Sequence, residues 1–416
     1  MRTFLPLIRS EWRLLLFGFV MAFGSSLGQT YFIGLFSGEI RSELELSHGS
    51  FGGLYSGATL ASAVILLWTG ALIDRIELRR YVYGVSIGLA MACALLAAST
   101  TPLMLFCALL ALRHFGQGLM SLAGATTMVR YLDRHKGKAN ALGGMGYSVS
   151  EALLPSLVIV LLALLGWRLS WLFWGAMLLV VVPLLSAWLL HGHQQRHRQY
   201  LSSLQSGAAH GQGIQQRQWT RAEVVSDPYF YLFMPALMAQ PLLFTGFMFH
   251  QVQLVEEKSW SLVAWAGLYL FYALVSTVCK LFAGLLVDRY TAIRLAPLVC
   301  LPLGAGLLAL STGDAFAVAA LFMGLMAVSV GFYSTLSSPF FSEMYGTLHL
   351  GSIKSVTTAA MVFATALAPA VMGWLIDSGL SMSAMARGAA LYTLLASGLA
   401  LYAAYRRGSP ADSRRK

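Results

Sequence analysis

Three ionisable side chains lie inside long apolar stretches, and their surroundings suit them to bind a charged ligand: Arg113, Glu151 and Lys280. With a helical rise of about 1.5 Å per residue, Arg113 and Glu151 both fall near the middle of their stretches. A charge in a lipid bilayer is costly unless it is paired or hydrated. Arg113 could therefore pair with Glu151 or contact a substrate directly, and the sequence leaves both interpretations open.

Lys280 differs from this pair because the apolar stretches of the second half have no acidic residue in their interior. The three interior charges sum to +1. A lone buried cation can deprotonate, face a water-filled cavity or hold an anion. All three outcomes remain open for Lys280.

Several polar and aromatic residues fall where a central ligand cavity would need them: Gln29, Tyr31, Tyr147, Ser276 and Tyr333. Small-ligand sites use such rings and hydrogen-bonding groups, but the same residues also join helices to one another in membranes.

His250 could titrate near neutral pH. We interpret it as a packed histidine, and keep it with Glu151 as a candidate for coupling transport to protons.

The elements that carry these residues are predicted to be transmembrane helices. Hydrophobic residues make up 57% of the 416 residues and charged residues 11%, against about 25% charged in soluble proteins. Apolar stretches of roughly 20 residues, long enough to cross a bilayer, recur at about 14–36, 50–73, 81–99, 102–128, 139–165, 167–190, 228–253, 262–287, 293–311, 314–340, 351–376 and 385–405. We predict an all-α membrane protein with twelve transmembrane helices in two six-helix bundles, because no strand alternation typical of a barrel occurs.

An offset of 214 residues relates the two halves of the chain. It carries Gly70, Asp74 and Arg75 onto Gly284, Asp288 and Arg289. Repeated membrane units of this kind are typical of secondary transporters, with the substrate site between the halves. We therefore expect an N-terminal bundle at 1–190, a connector at 191–227, and a C-terminal bundle with a short tail at 228–416.

The net charge of +11 reports topology rather than nucleic-acid binding. With the N-terminus inside, 22 of the 28 Lys and Arg residues fall in inside segments and four fall in outside segments. This positive-inside bias predicts that both termini and the connector are cytoplasmic. The connector contains four histidines, and we interpret it as a solvated tether rather than a metal sensor.

The loop after the second stretch reads Gly70-Ala-Leu-Ile-Asp74-Arg75, followed by Glu77 and Arg79-Arg80. Here the chain resembles the major facilitator superfamily, whose signature in this loop is G-x-x-x-D-R-x-G-R-R. The sequence departs from that signature by one extra residue before Arg79 and by Glu77 near the usual glycine. The glycine would let helices approach closely, and the aspartate could pair with an arginine or a helix N-terminus. We predict a cytoplasmic gating latch, with topology and turn signals as the alternative, formed by Gly70, Asp74, Arg75, Arg79, Gly284, Asp288 and Arg289.

Shorter motifs are similar to the monocarboxylate and oxalate–formate antiporter branches of that superfamily. They are Ile33-Gly34-Leu35-Phe36 and the loops at 130–137 and 343–351. In these branches an arginine four residues before a glycine binds the substrate carboxylate, and Lys280 stands four residues before Gly284. Lysine lacks the planar fork of arginine, and Tyr31 replaces a lysine of the animal transporters. The resemblance therefore implies an anion site at Lys280, but it does not imply proton coupling at position 31.

The leading hypothesis is a secondary active transporter that moves a small organic anion, with a monocarboxylate as one candidate, by alternating access. The alternative is a proton-coupled exporter of lipophilic compounds, whose usual carboxylate in the first span is missing here. No nucleotide-binding fingerprint, nucleophile–base pair or metal-ligand spacing occurs, so we expect no enzyme activity, cofactor or metal.

We expect the partners to be a small anionic substrate and membrane lipid, with no nucleic acid. The protein should act as a monomer in a plasma membrane, the bacterial inner membrane being the first candidate.

Overall fold

The computed structural model describes residues 5–132, 136–192, 194–196, 219–346 and 350–407, and these contain no strand. Most of the predicted connector lies outside these residues. The first half contains the helices α1 (Leu5–Gly24), α2 (Thr30–Gly34), α3 (Ser37–Glu43), α4 (His48–Thr69), α5 (Leu72–Arg75), α6 (Leu78–Ala97), α7 (Pro102–Leu112), α8 (Ser121–Tyr131) and α9 (Lys136–Leu189). The second half contains α10 (Arg221–Val225), α11 (Pro228–Phe249), α12 (Gln251–Glu257), α13 (Leu262–Tyr290), α14 (Ala292–Leu295), α15 (Leu301–Thr312), α16 (Phe316–Tyr345), α17 (Leu350–Asp377) and α18 (Met382–Arg407).

Eleven helical runs among the described residues are long and apolar enough to cross a membrane, although twelve spans are predicted. The difference lies in one run of 51 residues, Ala139–Leu189. Inside it Gly166 has φ +71° and ψ 172°, a conformation that ends a helix and that glycine adopts without steric cost. Two spans therefore meet at Gly166, and the twelve-helix fold is confirmed.

The chain divides into two compact units. One consists of Met1–Leu46 and Gly53–Gly213, and the other of Ser47–Gly52 and Ile214–Lys416.

In the first unit, the span nearest the N-terminus is broken in the middle. Helix α1 ends at Gly24, a 3₁₀ turn covers Ser25–Gly28, and Gln29 is extended with φ −86° and ψ 151° before α2 begins. Serine and glycine are weak helix formers, and the prevalence of both here favours a break. A broken span leaves backbone carbonyls without helical partners, so that other groups can hydrogen-bond to them.

Close packing holds this break in place. A Cβ at Gly28 would lie 2.4 Å from the Leu112 carbonyl oxygen and 2.9 Å from the Gly116 Cα. Leu112 ends α7, and Gly116 lies in the π-helical segment Arg113–Met120 that continues it. Glycine is therefore required at Gly28, where two backbones meet without space for a side chain.

In the second unit, the end of the connector is docked on the bundle. Asp227 caps the start of α11, and its Oδ2 accepts hydrogen bonds from the Tyr345 hydroxyl at 3.0 Å and from Arg407 at 2.9 Å. Arg407 also stacks over the Trp219 ring, with its Cζ 5.5 Å from the centroid. This cluster joins the entrance of α11 to the ends of α16 and α18.

The helix boundaries follow the 214-residue offset. It carries α3 (Ser37–Glu43) onto α12 (Gln251–Glu257), and the start of α4 onto the start of α13. It also carries the run 102–131, which comprises α7, the π-helical segment and α8, onto α16 (Phe316–Tyr345). The repeat is thus confirmed at the level of the elements, but among the described residues the break at Ser25–Gln29 and the π-helical segment occur in the first copy alone.

Candidate substrate-binding residues

Arg113 is a buried charged side chain of the first unit, and its contacts are well defined. It is 2% exposed and begins the π-helical segment, a feature often found at functional sites. Its Nε donates to the Thr59 hydroxyl at 3.1 Å, and one terminal nitrogen donates to the Gly28 carbonyl at 2.9 Å. Its Cζ lies 5.1 Å from the centroid of the Tyr55 ring. The guanidinium therefore holds the carbonyl that the helix break exposes.

All of these partners are neutral. Within the described part of the chain, Arg113 forms no ion pair, and its second terminal nitrogen makes no hydrogen bond. The Arg113–Glu151 pair that the sequence allowed is not made, because the guanidinium turns to the helix break and to α4. A buried cation with neutral partners is electrostatically suited to an anion.

The predicted residues Tyr31, Tyr147 and Glu151 lie close together elsewhere in this unit, where α2 meets α9. The Tyr31 hydroxyl donates to the Ser150 Oγ at 3.3 Å, and the Ser26 Oγ lies 2.5 Å from the same atom. The Tyr147 hydroxyl is hydrogen-bonded to Ser121, and Glu151 interacts electrostatically with Tyr31. Two of these hydroxyls therefore join helices to one another, the role that the sequence left as an alternative to ligand binding.

Gln29 lies at the break itself. Its backbone N–H donates to the Ser26 carbonyl at 2.9 Å, and its carbonyl accepts from Ile33 at 3.1 Å. The side chain is half-buried, one residue from the carbonyl that Arg113 holds. Gln29 and Arg113 are thus on neighbouring elements, as a shared site requires.

In the second unit, Lys280 and Ser276 lie one turn apart on α13. Lys280 is half-buried and Ser276 is 1% exposed, whereas Leu281 is 70% exposed. Lys280 lies on the same face of the helix as the buried residues Ser276 and Ala283. Its backbone packs against α16, since Thr335 donates to the Lys280 carbonyl at 3.3 Å.

Tyr333 lines a cavity of about 160 Å³ between α11, α16 and α17. The polar residues of its wall are Tyr333, Ser337, Lys354, Thr357 and Thr358. The apolar residues of the wall are Leu237, Met238, Phe341 and Met361. Lys354 was not expected at a ligand site, because in the sequence it belongs to the inside-facing charges that set topology. The signal that was available is Lys354-x-x-Thr357-Thr358, three polar residues within about one helical turn at the start of an apolar stretch.

His250 is packed, as its sequence position suggested. It is 3% exposed, and its Nε2 donates to the Pro369 carbonyl at 2.9 Å. Its ring lies 5.0 Å from the Phe249 ring and 5.8 Å from the His48 ring. His250 is therefore held between α11 and α17, away from the cavity of Lys354.

The latch residues are only partly described. The side chains of Asp74 and Asp288 lie outside the described part of the structure, so their partners stay a prediction. Arg79 donates to the Tyr83 hydroxyl at 2.7 Å, and the Arg289 Cζ lies 5.2 Å from the Tyr290 ring centroid.

Gly284 does not have the role expected of the latch glycine. Among the described residues, no atom lies within 4 Å of a Cβ placed there, so the described part of the chain does not make the predicted close helix approach at this position. The two copies differ in their backbone as well. In the first copy α4 ends at Thr69, before Gly70, and α5 then carries Asp74 and Arg75, whereas α13 continues through Gly284 to Tyr290.

Comparison with known proteins agrees with this architecture. The family model described as Major Facilitator Superfamily matches residues 18–369. A search of curated proteins finds no match. The chain is similar to the crystal structure of a bacterial homolog of the human lysosomal transporter Spinster, with 13% identity, coverage of 94% of this chain and 96% of that chain, and a TM-score of 0.68. It is similar to the nucleoside transporter NupG with 13% identity, coverage of 94% and 98%, and a TM-score of 0.68. At such identities the likeness shows the fold alone.

Proposed function

The chain belongs to the Major Facilitator Superfamily and is a membrane transporter rather than an enzyme, and from this premise we propose that its cargo is a small organic anion. Transport would proceed by alternating access, driven by a gradient. The similar structures include a nucleoside transporter and a Spinster homolog, so the fold by itself does not identify the cargo. The nature of the cargo is therefore argued from the side chains of this chain.

The observation that carries the proposal is the neutral environment of Arg113. Arg113 is 2% exposed, and its guanidinium is held by a hydroxyl, a carbonyl and an aromatic ring, with no carboxylate of the described residues in contact with it. In a medium of low dielectric constant, such a charge is stabilised when an anion approaches it. The second terminal nitrogen remains to donate to the anion.

Lys280 supports the same class of cargo. It lies on the buried stripe of α13 rather than on its exposed face, and its distance from Gly284 matches the carboxylate-binding arginine of the branches that the sequence resembles. We propose that Arg113 in the first unit and Lys280 in the second unit each supply positive potential for an anion. Gln29, Tyr31 and Tyr147 would provide hydrogen bonds in the first unit, and Ser276 and Tyr333 would provide them in the second.

The charge distribution bears on the orientation of the chain in its membrane. We propose that the protein resides in a plasma membrane, such as the bacterial inner membrane, with both termini on the cytoplasmic side, because basic residues prefer that side. Glu151 and His250 are the groups proposed to couple transport to protons.

Uptake by proteoliposomes tests the proposal. Purified protein is reconstituted and offered a panel of labelled carboxylates, with and without a pH gradient. We expect Arg113→Gln to lower anion uptake at least tenfold, because a lost charge-assisted hydrogen bond is worth about 1.5–3 kcal/mol. Arg113→Lys should retain part of the uptake, since the charge stays but the fork that holds Gly28 and Thr59 is lost.

Two controls separate binding from folding. Arg387→Gln removes a positive charge from an exposed position on α18 and should leave uptake unchanged. Thermal stabilisation by the transported anion, measured in detergent, reports binding independently of transport. The proposal is wrong if the wild-type protein neither takes up nor is stabilised by any organic anion, or if Arg113→Gln matches the wild type in both assays.

A further inference from the structure

The cavity of the second unit combines a cation with apolar walls. We propose that it is a binding site for a compact amphipathic monoanion, a single negative group on an apolar body about the size of a benzene ring. The proposal rests on the proposed function, and it adds a site and a substrate class to it.

The polar end of the cavity is formed by α17 and α16. Lys354 and Thr358 are four residues apart, so they lie on one face of α17. Ser337 lies on the facing helix α16. Within the described residues the hydroxyls of Ser337 and Thr358 make no hydrogen bond. An ammonium and two such hydroxyls are donors that a carboxylate or sulfonate can accept.

The other end of the cavity is apolar. Met361 lies seven residues after Lys354, about 10 Å further along the helix. The Tyr333 hydroxyl lies 3.5 Å from the Met361 sulfur, which closes this end. Leu237 and Met238 on α11 complete the wall. Methionine side chains adapt their shape and contact aromatic rings favourably, so this end suits a ring or a branched chain.

The size of the cavity limits the ligand. Its volume is about 160 Å³, and a cavity of about 150 Å³ lined by apolar groups accepts benzene. Among the lining residues that the structure describes, Lys354 is the one cationic residue. A monoanion therefore fits the charge of the cavity, and a dianion does not.

Binding measurements with benzoate test this assignment. The affinity of the detergent-purified protein is measured by calorimetry for benzoate, for the neutral analogue benzamide, for the dianion phthalate and for acetate. We expect wild-type protein to prefer benzoate over the other three. Lys354→Gln should weaken benzoate at least tenfold and remove its advantage over benzamide.

Two further variants address shape and charge separately. Met361→Trp should fill the apolar end and weaken benzoate more than acetate. Arg294→Gln removes an exposed arginine of the same unit, away from the cavity lining, and should leave all affinities unchanged. If Lys354→Gln does not remain folded, Met361→Trp still tests the site, because it leaves the charge in place.

The outcomes distinguish this site from the proposed function. If carboxylates are transported but Lys354→Gln and Met361→Trp leave benzoate affinity and selectivity unchanged, the cavity assignment is wrong and the transport proposal stands. If no organic anion binds or is transported, both are wrong.

A lipid headgroup is the competing occupant. If phosphatidylglycerol nanodiscs abolish benzoate binding and phosphatidylcholine nanodiscs do not, the cavity holds lipid and the assignment is overturned.

Discussion

Neutral contacts define the environment of the buried cation at Arg113. Its fork needs two acceptors at a fixed spacing, and the Thr59 hydroxyl and the Gly28 carbonyl supply them. An ammonium has no such fork and depends less on geometry. Substitution of Arg113 by lysine is therefore not conservative here. The compact ammonium groups of Lys280 and Lys354 suit sites where a mobile anion binds.

A carboxylate outside the spans gives a pH-dependent contribution to stability. Arg168 donates to the Glu43 Oε1 at 2.9 and 2.7 Å, and the Trp167 Nε1 donates to the Oε2 at 2.6 Å. The hydrogen bonds from Arg168 and then from Trp167 hold the pKa of Glu43 below its ordinary value of 4.5. Because the folded pKa is lowered, the stabilisation is present above pH 4.5 and is lost as the pH falls through the lowered pKa.

We expect Glu43→Gln to lower the melting temperature slightly at pH 7, because both partners are partly exposed and the contribution is about 1 kcal/mol or less. Between pH 5 and pH 3.5, about the range in which a carboxyl titrates, the wild type should lose more stability than the variant. Thermal unfolding in detergent measures the difference. Glu39→Gln on the same helix is the control, since Glu39 makes no ion pair with any described residue. Parallel pH curves for wild type and Glu43→Gln would contradict this account.

At the scale of elements, irregular backbone marks the candidate site of the first unit. The break at Ser25–Gln29 and the π-helical segment Arg113–Met120 are packed against each other through Gly28 and Gly116. Non-helical backbone within a membrane protein is stable only where protein or water satisfies its polar groups. Here Arg113 satisfies one of them, so the charge, the break and the close packing depend on one another.

A methyl group at Gly28 should therefore disrupt the site. The nearest atoms to a Cβ at this position are backbone atoms, at 2.4, 2.7 and 2.9 Å, which cannot rotate away. We expect Gly28→Ala to destabilise the protein by about 1–3 kcal/mol and to reduce transport. Gly84→Ala is the matched control, because no described residue lies within 4 Å of a Cβ there, and alanine should stabilise α6 by about 0.5–1 kcal/mol. Equal melting temperatures for the two variants would show that the helices separate easily at Gly28.

At the scale of the whole molecule, repetition and charge distribution determine the organisation. The 214-residue offset relates helix boundaries as well as residues. The excess of basic residues in alternate loops predicts the orientation of every helix. The side of the membrane that each loop faces is defined only when the protein is inserted, so it is tested in a membrane.

Reporter insertions at two loops test this orientation. One is placed after His191, at the end of the first bundle, and the other after Gly379, in the turn between α17 and α18. We expect a fluorescent protein to fold at the first position and alkaline phosphatase to be active at the second. Alkaline phosphatase activity after His191 would show that the protein is inserted the other way round.

The sequence by itself determined the helical class, the number of spans and the repeat, because hydrophobic length and the spacing of Gly, Asp and Arg are local properties of the chain. It located Arg113 as an interior charge for the same reason. Only the tertiary structure decided its partners, since Thr59, Gly28 and Tyr55 come from elements distant in sequence. It also decided that, among the described residues, Gly28 is a point of close approach and Gly284 is not. The cavity of Lys354 depends on three helices packing together, so the polar residues beside Lys354 in the sequence could not by themselves assign its charge to a cavity.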